Sequence, residues 1–376
     1  MRITIATGPW LPVPAVAGGA VNRRWQGVAE AFAAKGHQVT IWCRSYPGQP
    51  PQEKINGVHY CRRGGLSQST NIYWDLIKDL VYALQSTPTL PPADITVIND
   101  FWLPIFAPFI TQLGKIVVNA ARVPKGQYRF YTHVDRFVAV SHPIQDKIAQ
   151  QCPRAAGRTV VIPNPINTQV FSPPTQPREH TEKEILYVGR IHPEKGIDVL
   201  VEAFALLSQS ISTAKLKILG PIKESQGGGG EAYLSQLKSK AKGLAVEFCH
   251  PIFDLERLVE VYRQADLFCY PSLAERGESF GVAPLEAMAT GLVPIVSNLA
   301  CFRDFITEGE TGYFFNHRCP KAAFHLSQAL QAALKDWPKT TAMAQKAARK
   351  AQEYSYEAIA DAYLKDFNHL LALNKG

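Results

Sequence analysis

The strongest constraint in this sequence is an alternation that is run through twice. Short apolar runs suited to buried strands take turns with longer segments of helical period, and after a proline-rich interruption the same alternation begins again. In the first round, residues 3–6 read as a strand. A turn with Gly18 and Gly19 follows. A helix over about 21–35 then places Val21, Trp25, Val28, Ala29 and Phe32 on one face, and Gly36 closes it. Further strands are expected at 39–42, 95–98, 116–118, 137–140 and 160–162. Residues 173–183, PPTQPREHTEK, carry three prolines and no apolar period, and read as a linker. The second round predicts strands at 185–188, 216–219, 246–249, 267–270 and 293–297. Its helices fall at 197–207, 232–242, 255–263, 282–289, 322–334 and 356–373. The run Gly227–Gly230, inside 221–231, predicts a mobile insertion.

Strands alternating with helices imply parallel sheets covered on both faces. The expectation is two doubly wound, Rossmann-like α/β domains, 1–172 and 184–350. Ligands in such sheets bind beyond the carboxyl ends of the strands, so two domains facing each other would enclose a cleft. A length of 376 residues suits two or three domains of roughly 100–200 residues each.

No apolar run reaches the roughly 20 residues of a membrane helix, and the N-terminal MRITIATGPW reads as a strand and not as a signal peptide. A cytoplasmic enzyme is the default expectation. The seven cysteines form no CxxC pair and are odd in number, which argues against a disulfide framework or a metal centre; most are expected to be small buried apolar residues. Residues 1–172 hold 17 Lys and Arg against 8 Asp and Glu, while the rest of the chain is near neutral. That asymmetry predicts an anionic partner for the first half, or a surface charged for solubility. Nucleic acid is not expected, because the aromatic residues of this half sit in apolar runs and not among Lys and Arg.

Two segments carry chemistry. In LYVGRIHPEKGIDVL, a strand ends at Gly189, Arg190 follows it, and Lys195 precedes a helix opening at Gly196. Two cations beside a helix N-terminus suit a diphosphate. In PSLAERGESFGVAPLEAMATG, Glu278 lies in a loop and Glu286 on the next helix. The N–H groups of Ser279, Phe280, Gly281 and Val282 would point at an anion. A carboxylate only accepts hydrogen bonds, so it suits paired sugar hydroxyls.

Taken together these segments resemble the group 1, family 4 retaining glycosyltransferases of GT-B fold. Residues 162–165 (IPNP), 309–312 (GETG) and the closing 354–367 (YSYEAIADAYLKDF) extend the resemblance, which is strong over roughly 160–370. It implies an N-terminal acceptor-binding domain onto which the helix at about 355–373 packs back, and a C-terminal domain for a nucleoside-diphosphate sugar. It further implies that Arg190 and Lys195 hold the diphosphate, Glu286 the ribose and Glu278 the reacting side of the sugar. Gly18, Gly19 and Gly189 would allow close approach. No metal and no cofactor beyond the donor is implied. The acceptor would be a glycan, a lipid-linked sugar or a small sugar phosphate.

Residues 115–122, KIVVNAAR, lack the histidine that many members carry at the end of this strand. Arg122 is the nearest polar residue there, and a non-catalytic sugar-nucleotide binder stays open as an alternative. Asn99, Asp100 and Trp102 close another strand and are candidates for the acceptor side, or core residues with a turn. Arg23, Arg24, Trp25, Arg62 and Arg63 could form a basic, aromatic face for peripheral contact with an anionic membrane.

Overall fold

Each round of the alternation closes into its own parallel sheet. The computed structural model describes residues 1–15, 19–69, 71–176 and 182–373. The first round supplies β1 (Arg2–Ala6), α1 (Ala20–Ala34), β2 (Gln38–Cys43), β3 (Gln52–Ile55), β4 (Val58–Arg62) and α2 (Ile72–Ser86). It continues with β5 (Ile95–Ile98), a short α3 (Leu103–Phe106), β6 (Lys115–Ala120), β7 (Arg136–Ala139), α4 (His142–Gln151) and β8 (Thr159–Val161). The sheet order is β3-β4-β2-β1-β5-β6-β7-β8. Every pairing is parallel except β3 with β4. Buried strand residues such as Ile5, Ile41 and Val97 are in register across the sheet, and apolar runs of this kind are what a sheet covered on both faces requires. The β3–β4 hairpin was not anticipated. Its signal is Asn56-Gly57, a two-residue turn with both φ angles positive.

The second round supplies β9 (Lys183–Val188), α5 (Ile197–Ser208), β10 (Ala214–Leu219), α6 (Gly230–Lys240), β11 (Val246–Cys249), α7 (Leu255–Gln264) and β12 (Leu267–Tyr270). It ends with α8 (Val282–Ala289), β13 (Val293–Ser297), β14 (Tyr313–Phe315), α9 (Ala322–Lys335) and α10 (Trp337–Ala351). The order is β11-β10-β9-β12-β13-β14, parallel throughout.

The chain divides into a first unit, Met1–Pro165 with Tyr356–Gly376, and a second unit, Ile166–Ser355. The break falls at 165 and not at 172 because residues 166–172 are hydrogen-bonded into the second unit. The Ile166 N–H donates to the Tyr354 carbonyl at 2.8 Å, and the Arg263 guanidinium donates to the Ser172 carbonyl at 3.0 Å. Residues 177–181 of the expected linker lie outside the described residues. Of the cysteines, Cys43, Cys269 and Cys301 are buried and the other four are half-buried, fewer than expected in the core.

The last helix, α11 (Tyr356–Ala372), completes the core of the first unit. It brings Ile359, Ala360, Tyr363, Leu364, Phe367 and Leu370 against Trp25, Val28 and Phe32 of α1. The Tyr363 ring lies 5.3 Å from Trp25, and Phe367 lies 6.0 Å from Phe32. At roughly 1.5–3 kcal/mol for each large apolar side chain, this burial contributes on the order of 10 kcal/mol. The helices meet closely at Gly27, where a Cβ would lie 2.4 Å from the Tyr356 ring. Gly27→Leu is therefore expected to destabilise the protein by roughly 1–3 kcal/mol through overpacking. Gly157→Ala, where an added Cβ meets nothing within 4 Å, should stay within about 0.5 kcal/mol of wild type. Thermal melts of the two variants check this; equal melting temperatures would refute the close packing.

Candidate functional site

In the second unit the strand order reverses between β9 and β12. From β9 the chain steps outward through β10 and β11, then returns to place β12 on the other side of β9. The segments leaving these two neighbouring strands, 189–196 and 271–281, therefore flank a crevice beyond their carboxyl ends, the position where doubly wound sheets take ligands. They are laced together. The Leu273 N–H donates to the Glu194 carbonyl at 2.8 Å. Gly196, at φ +65°, passes so close that a Cβ would lie 2.2 Å from the Pro271 carbonyl oxygen, so only glycine fits.

This lacing brings Lys195 and Glu278 together across 83 positions of sequence. The Lys195 ammonium donates to Glu278 Oε2 at 2.7 Å, with only 7% and 11% of the two side chains exposed. The ammonium also lies 5.4 Å from the centre of the Tyr270 ring, which stacks on Tyr187 at 5.7 Å. Burial, reinforced by the nearby Glu278 carboxylate, pushes both phenols well above their usual range, so they stay neutral. Arg190 is more exposed. Its guanidinium donates to Glu194 Oε1 at 2.5 Å and to the Gly227 carbonyl at 2.9 Å. Gly189 is where the backbone of β9 meets the next connection: a Cβ on Gly220 would lie 1.8 Å from the Gly189 carbonyl oxygen.

The segment after β12 turns into α8 at Gly281, where a Cβ would lie 2.4 Å from the Phe302 ring. Phe280 is buried 5.1 Å from Phe305, and Ser279 is half-buried. The first N–H groups of α8, from Val282 on, have no intrahelical acceptor, as in any helix. One turn further, Glu286 accepts a hydrogen bond from the Tyr262 hydroxyl at 3.2 Å. The structure thus pairs Lys195 with Glu278 across the β9–β12 reversal, with Gly189 and Arg190 at the end of β9 and Ser279–Val282 and Glu286 on the segment that turns into α8. Glu194 was not singled out in the sequence, although its spacing of four from Arg190 is a legible signal for an ion pair.

The run Gly227–Gly230 is a correction. It is a hydrogen-bonded loop and not a loose insertion. The Gly229 N–H donates to the Ile191 carbonyl at 2.8 Å and the Gly230 N–H to the Ile222 carbonyl at 2.9 Å, and Gly230 opens α6. Gly228 packs so tightly that a Cβ would lie 2.1 Å from the Ile222 carbonyl oxygen.

The first unit reverses its strand order between β1 and β5. Gly18 lies outside the described residues; Gly19 caps α1 at φ 101°. Three of the acceptor-side candidates are used internally. Asn99 Oδ1 accepts from the Trp25 indole at 2.7 Å and from Asn119 at 3.0 Å, and the Trp102 indole donates to the Leu76 carbonyl at 2.9 Å. Asp100 Oδ1 accepts from the backbone of Trp102 and Leu103. Arg122 is exposed beyond β6, and His133 is exposed with its ring 5.2 Å from Phe109. The expected basic, aromatic face does not form. Trp25, Arg24 and Arg62 are buried, Arg24 donating to Asn164 and Arg62 to the Val13 carbonyl, while Arg23 and Arg63 stay exposed. Their stems and planes fill core space that charge alone does not reveal.

Comparison with known proteins follows the same division. The family model for Glycosyl transferases group 1 matches residues 171–351, and that for Glycosyltransferase Family 4 matches residues 17–170. The phosphatidyl-myo-inositol mannosyltransferase of Mycobacterium tuberculosis is 32% identical over 325 residues, 78% of either chain. The D-inositol 3-phosphate glycosyltransferase of Rhodococcus jostii is 33% identical over 189 residues, half of this chain and 40% of that protein; the match spans less than half the length of such relatives. Among solved structures, the sucrose-phosphate synthase of Thermosynechococcus elongatus superposes with a TM-score of 0.75 at 21% identity, over 99% of this chain and all of that one. Anabaena HepE, solved with UDP and glucose, superposes at 0.69 and 14% identity, over 98% of this chain and all of that one. These likenesses establish the GT-B fold.

Asp100 offers a test that needs no ligand. Its Oδ2 has no donor and faces Asp79 of α2. Burial and this neighbour push Asp79 up to about 9, and burial raises Asp100, so the pair keeps a proton between two acceptor-only groups. A carboxyl raised in the folded state contributes stability that is full below the ordinary aspartate value and is lost as pH climbs through the raised one. Stability should therefore fall between about pH 4 and about 9. Asp79→Asn, whose amide donates without titrating, should flatten that decline. Melting temperatures across this window decide it, and an unchanged slope in the variant would exclude a shared proton.

Proposed function

Because the chain belongs to the group 1, family 4 glycosyltransferases, we propose that it moves a sugar from a nucleoside-diphosphate sugar to a glycan, lipid-linked or sugar-phosphate acceptor, with retention at the anomeric carbon. The observation that carries this reading is the pairing at the β9–β12 reversal. Lys195 is neutralised by Glu278, and Arg190 by Glu194, beside the start of α8.

A diphosphate entering there would take over the two cations from the protein's own carboxylates. Arg190 and Lys195 would then stabilise the charge that grows on the leaving diphosphate, with most of their cost of orientation already met. These fixed cations supply the electrostatic work for which other transferases recruit a divalent ion. Glu278, released from Lys195, would face the sugar and accept from its hydroxyls. It would act as a stabiliser and not as a nucleophile, the acceptor attacking from the leaving-group side and passing its proton to the departing phosphate. Glu286 suits the ribose hydroxyls. UDP or GDP sugars are the expected donors, and the complexes of HepE with UDP support the former. Phosphorylated acceptors, as in the names of the inositol-directed relatives, fit the positive charge of the first unit. The end of β6, without a histidine, favours a second reading, donor binding without transfer.

A thermal-shift screen of UDP, GDP and ADP tests the donor site. At about 100 times its dissociation constant, a bound nucleotide should stabilise by roughly 2.7 kcal/mol. Arg190→Ala and Lys195→Ala, each measured against its own ligand-free melt, should lose most of that shift. Lys195→Ala should itself melt lower, because it strands a buried carboxylate at a cost of about 3–5 kcal/mol. No shift with any nucleotide would sink the proposal, and a shift without turnover of any donor sugar would select the second reading.

A further inference from the structure

Three arginines converge on a cavity of about 300 Å³ in the first unit. Arg129, Arg154 and Arg158 line it together with Thr132, Gln151 and Cys152, and among the described residues no carboxylate does. The cavity sits at the amino ends of two strands. Thr132 precedes β7, Arg158 immediately precedes β8, and Gln151 ends α4. Doubly wound sheets take their usual ligands beyond the opposite, carboxyl ends. The cavity is therefore separate from the reversal between β1 and β5.

Two of the arginines are held by neutral groups. Arg129 Nε donates to the Gln151 carbonyl at 3.0 Å, and Arg158 Nη1 donates to the carbonyls of Thr132 and Val134. The Arg158 guanidinium also lies 5.7 Å from the centre of the Phe137 ring. Gln151 is fixed in turn. Its Oε1 accepts from the Gly126 N–H at 2.7 Å, and its amide donates to the Pro124 carbonyl at 2.6 Å. Carbonyls and a ring orient a guanidinium without cancelling its charge, and they use only part of its donors. Arg154 is exposed and, among the described residues, makes no hydrogen bond or ion pair. Like charges thus border one cavity without an opposing carboxylate, an arrangement that costs free energy until an anion enters.

The residue types select the anion. Planar guanidinium forks match phosphate oxygens in bidentate pairs, and a phosphate monoester brings roughly two negative charges. Small-molecule sites begin at about 300 Å³, so the cavity has room for more than the phosphate itself. The arginines meet at one hollow and not along a stripe, as the backbone of a nucleic acid would need. The first unit also holds the whole excess of positive charge, 19 Lys and Arg against 11 Asp and Glu, whereas the second holds 21 of each. That field draws small anions towards the unit.

We propose that this cavity binds a soluble phosphorylated small molecule, with the phosphate held by Arg129, Arg154 and Arg158. The inference goes beyond sugar transfer and does not depend on the donor site.

Cys152 lines the cavity and is half-buried, so it reports occupancy locally. The full chain is alkylated with iodoacetamide, with sodium pyrophosphate or with sodium chloride at equal ionic strength, and peptide mass spectrometry reads the rate at each cysteine. Pyrophosphate should slow Cys152 at least about fivefold and saturably, because a bound anion covers the thiol and repels the thiolate that alkylation requires. Cys61, half-buried elsewhere in the same unit, should keep its rate. Arg154→Glu, at an exposed position that should leave the melting temperature unchanged, should abolish the protection relative to its own ligand-free rate. Arg190→Ala should retain it. No slowing of Cys152, equal slowing by chloride, or equal protection in Arg154→Glu would overturn the proposal. So would loss of protection in Arg190→Ala, which would trace the effect to the donor site.

Discussion

An all-parallel sheet wound in both directions from its first strand has one place where successive connections leave toward opposite faces. The Lys195–Glu278 and Arg190–Glu194 pairs lie on the segments that leave the strands at such a reversal. In the second unit it lies between β9 and β12, the position at which doubly wound sheets in general take ligands. The glycine at 196 lets one segment pass under the carbonyl of the other, and this contact fixes Lys195 against Glu278. The first unit repeats the arrangement between β1 and β5. There the close approach is at Gly8, where a Cβ would lie 3.3 Å from Asp100 Oδ2.

The two reversals answer their electrostatic problem differently. At β9–β12 cations face carboxylates. The pair at Lys195 is nearly dry and the pair at Arg190 is wetter, so solvent screens the second more than the first. At β1–β5 two carboxyl groups face each other, and a retained proton replaces the missing cation. The phenols of Tyr187 and Tyr270 beneath Lys195 stay neutral because burial and Glu278 both disfavour phenolate. The aromatic supports of the Lys195–Glu278 pair thus add no titrating group to it.

The legible parts of the fold are those set by local period. Apolar strand runs and helices such as α1, α5 and α8 stand close to where their patterns put them. The hairpin at Asn56-Gly57 carried a readable turn signal that was missed. α2 was harder. Its sequence is apolar on nearly every side, so periodicity marks no inner face, and only the packing shows that Asp75 and Asp79 turn inward while Trp74 and Ile77 stay in water. Arg24, Trp25 and Arg62 misled in the opposite sense, because composition cannot show that a guanidinium is satisfied by Asn164 or by the Val13 carbonyl.

By itself the sequence determined the two rounds of strand and helix, the family, and the identity of Arg190, Lys195, Glu278 and Glu286 as chemically apt residues, because each depends on local spacing or residue type. Only the tertiary structure decided which charges pair, that Gly227–Gly230 is held in place, that Asn99 and Trp102 are used internally, and that the unburied face of the first unit belongs to α2. These outcomes turn on contacts between residues tens of positions apart. Hydrogen-bond satisfaction and excluded volume select such contacts only once the sheets have brought them together.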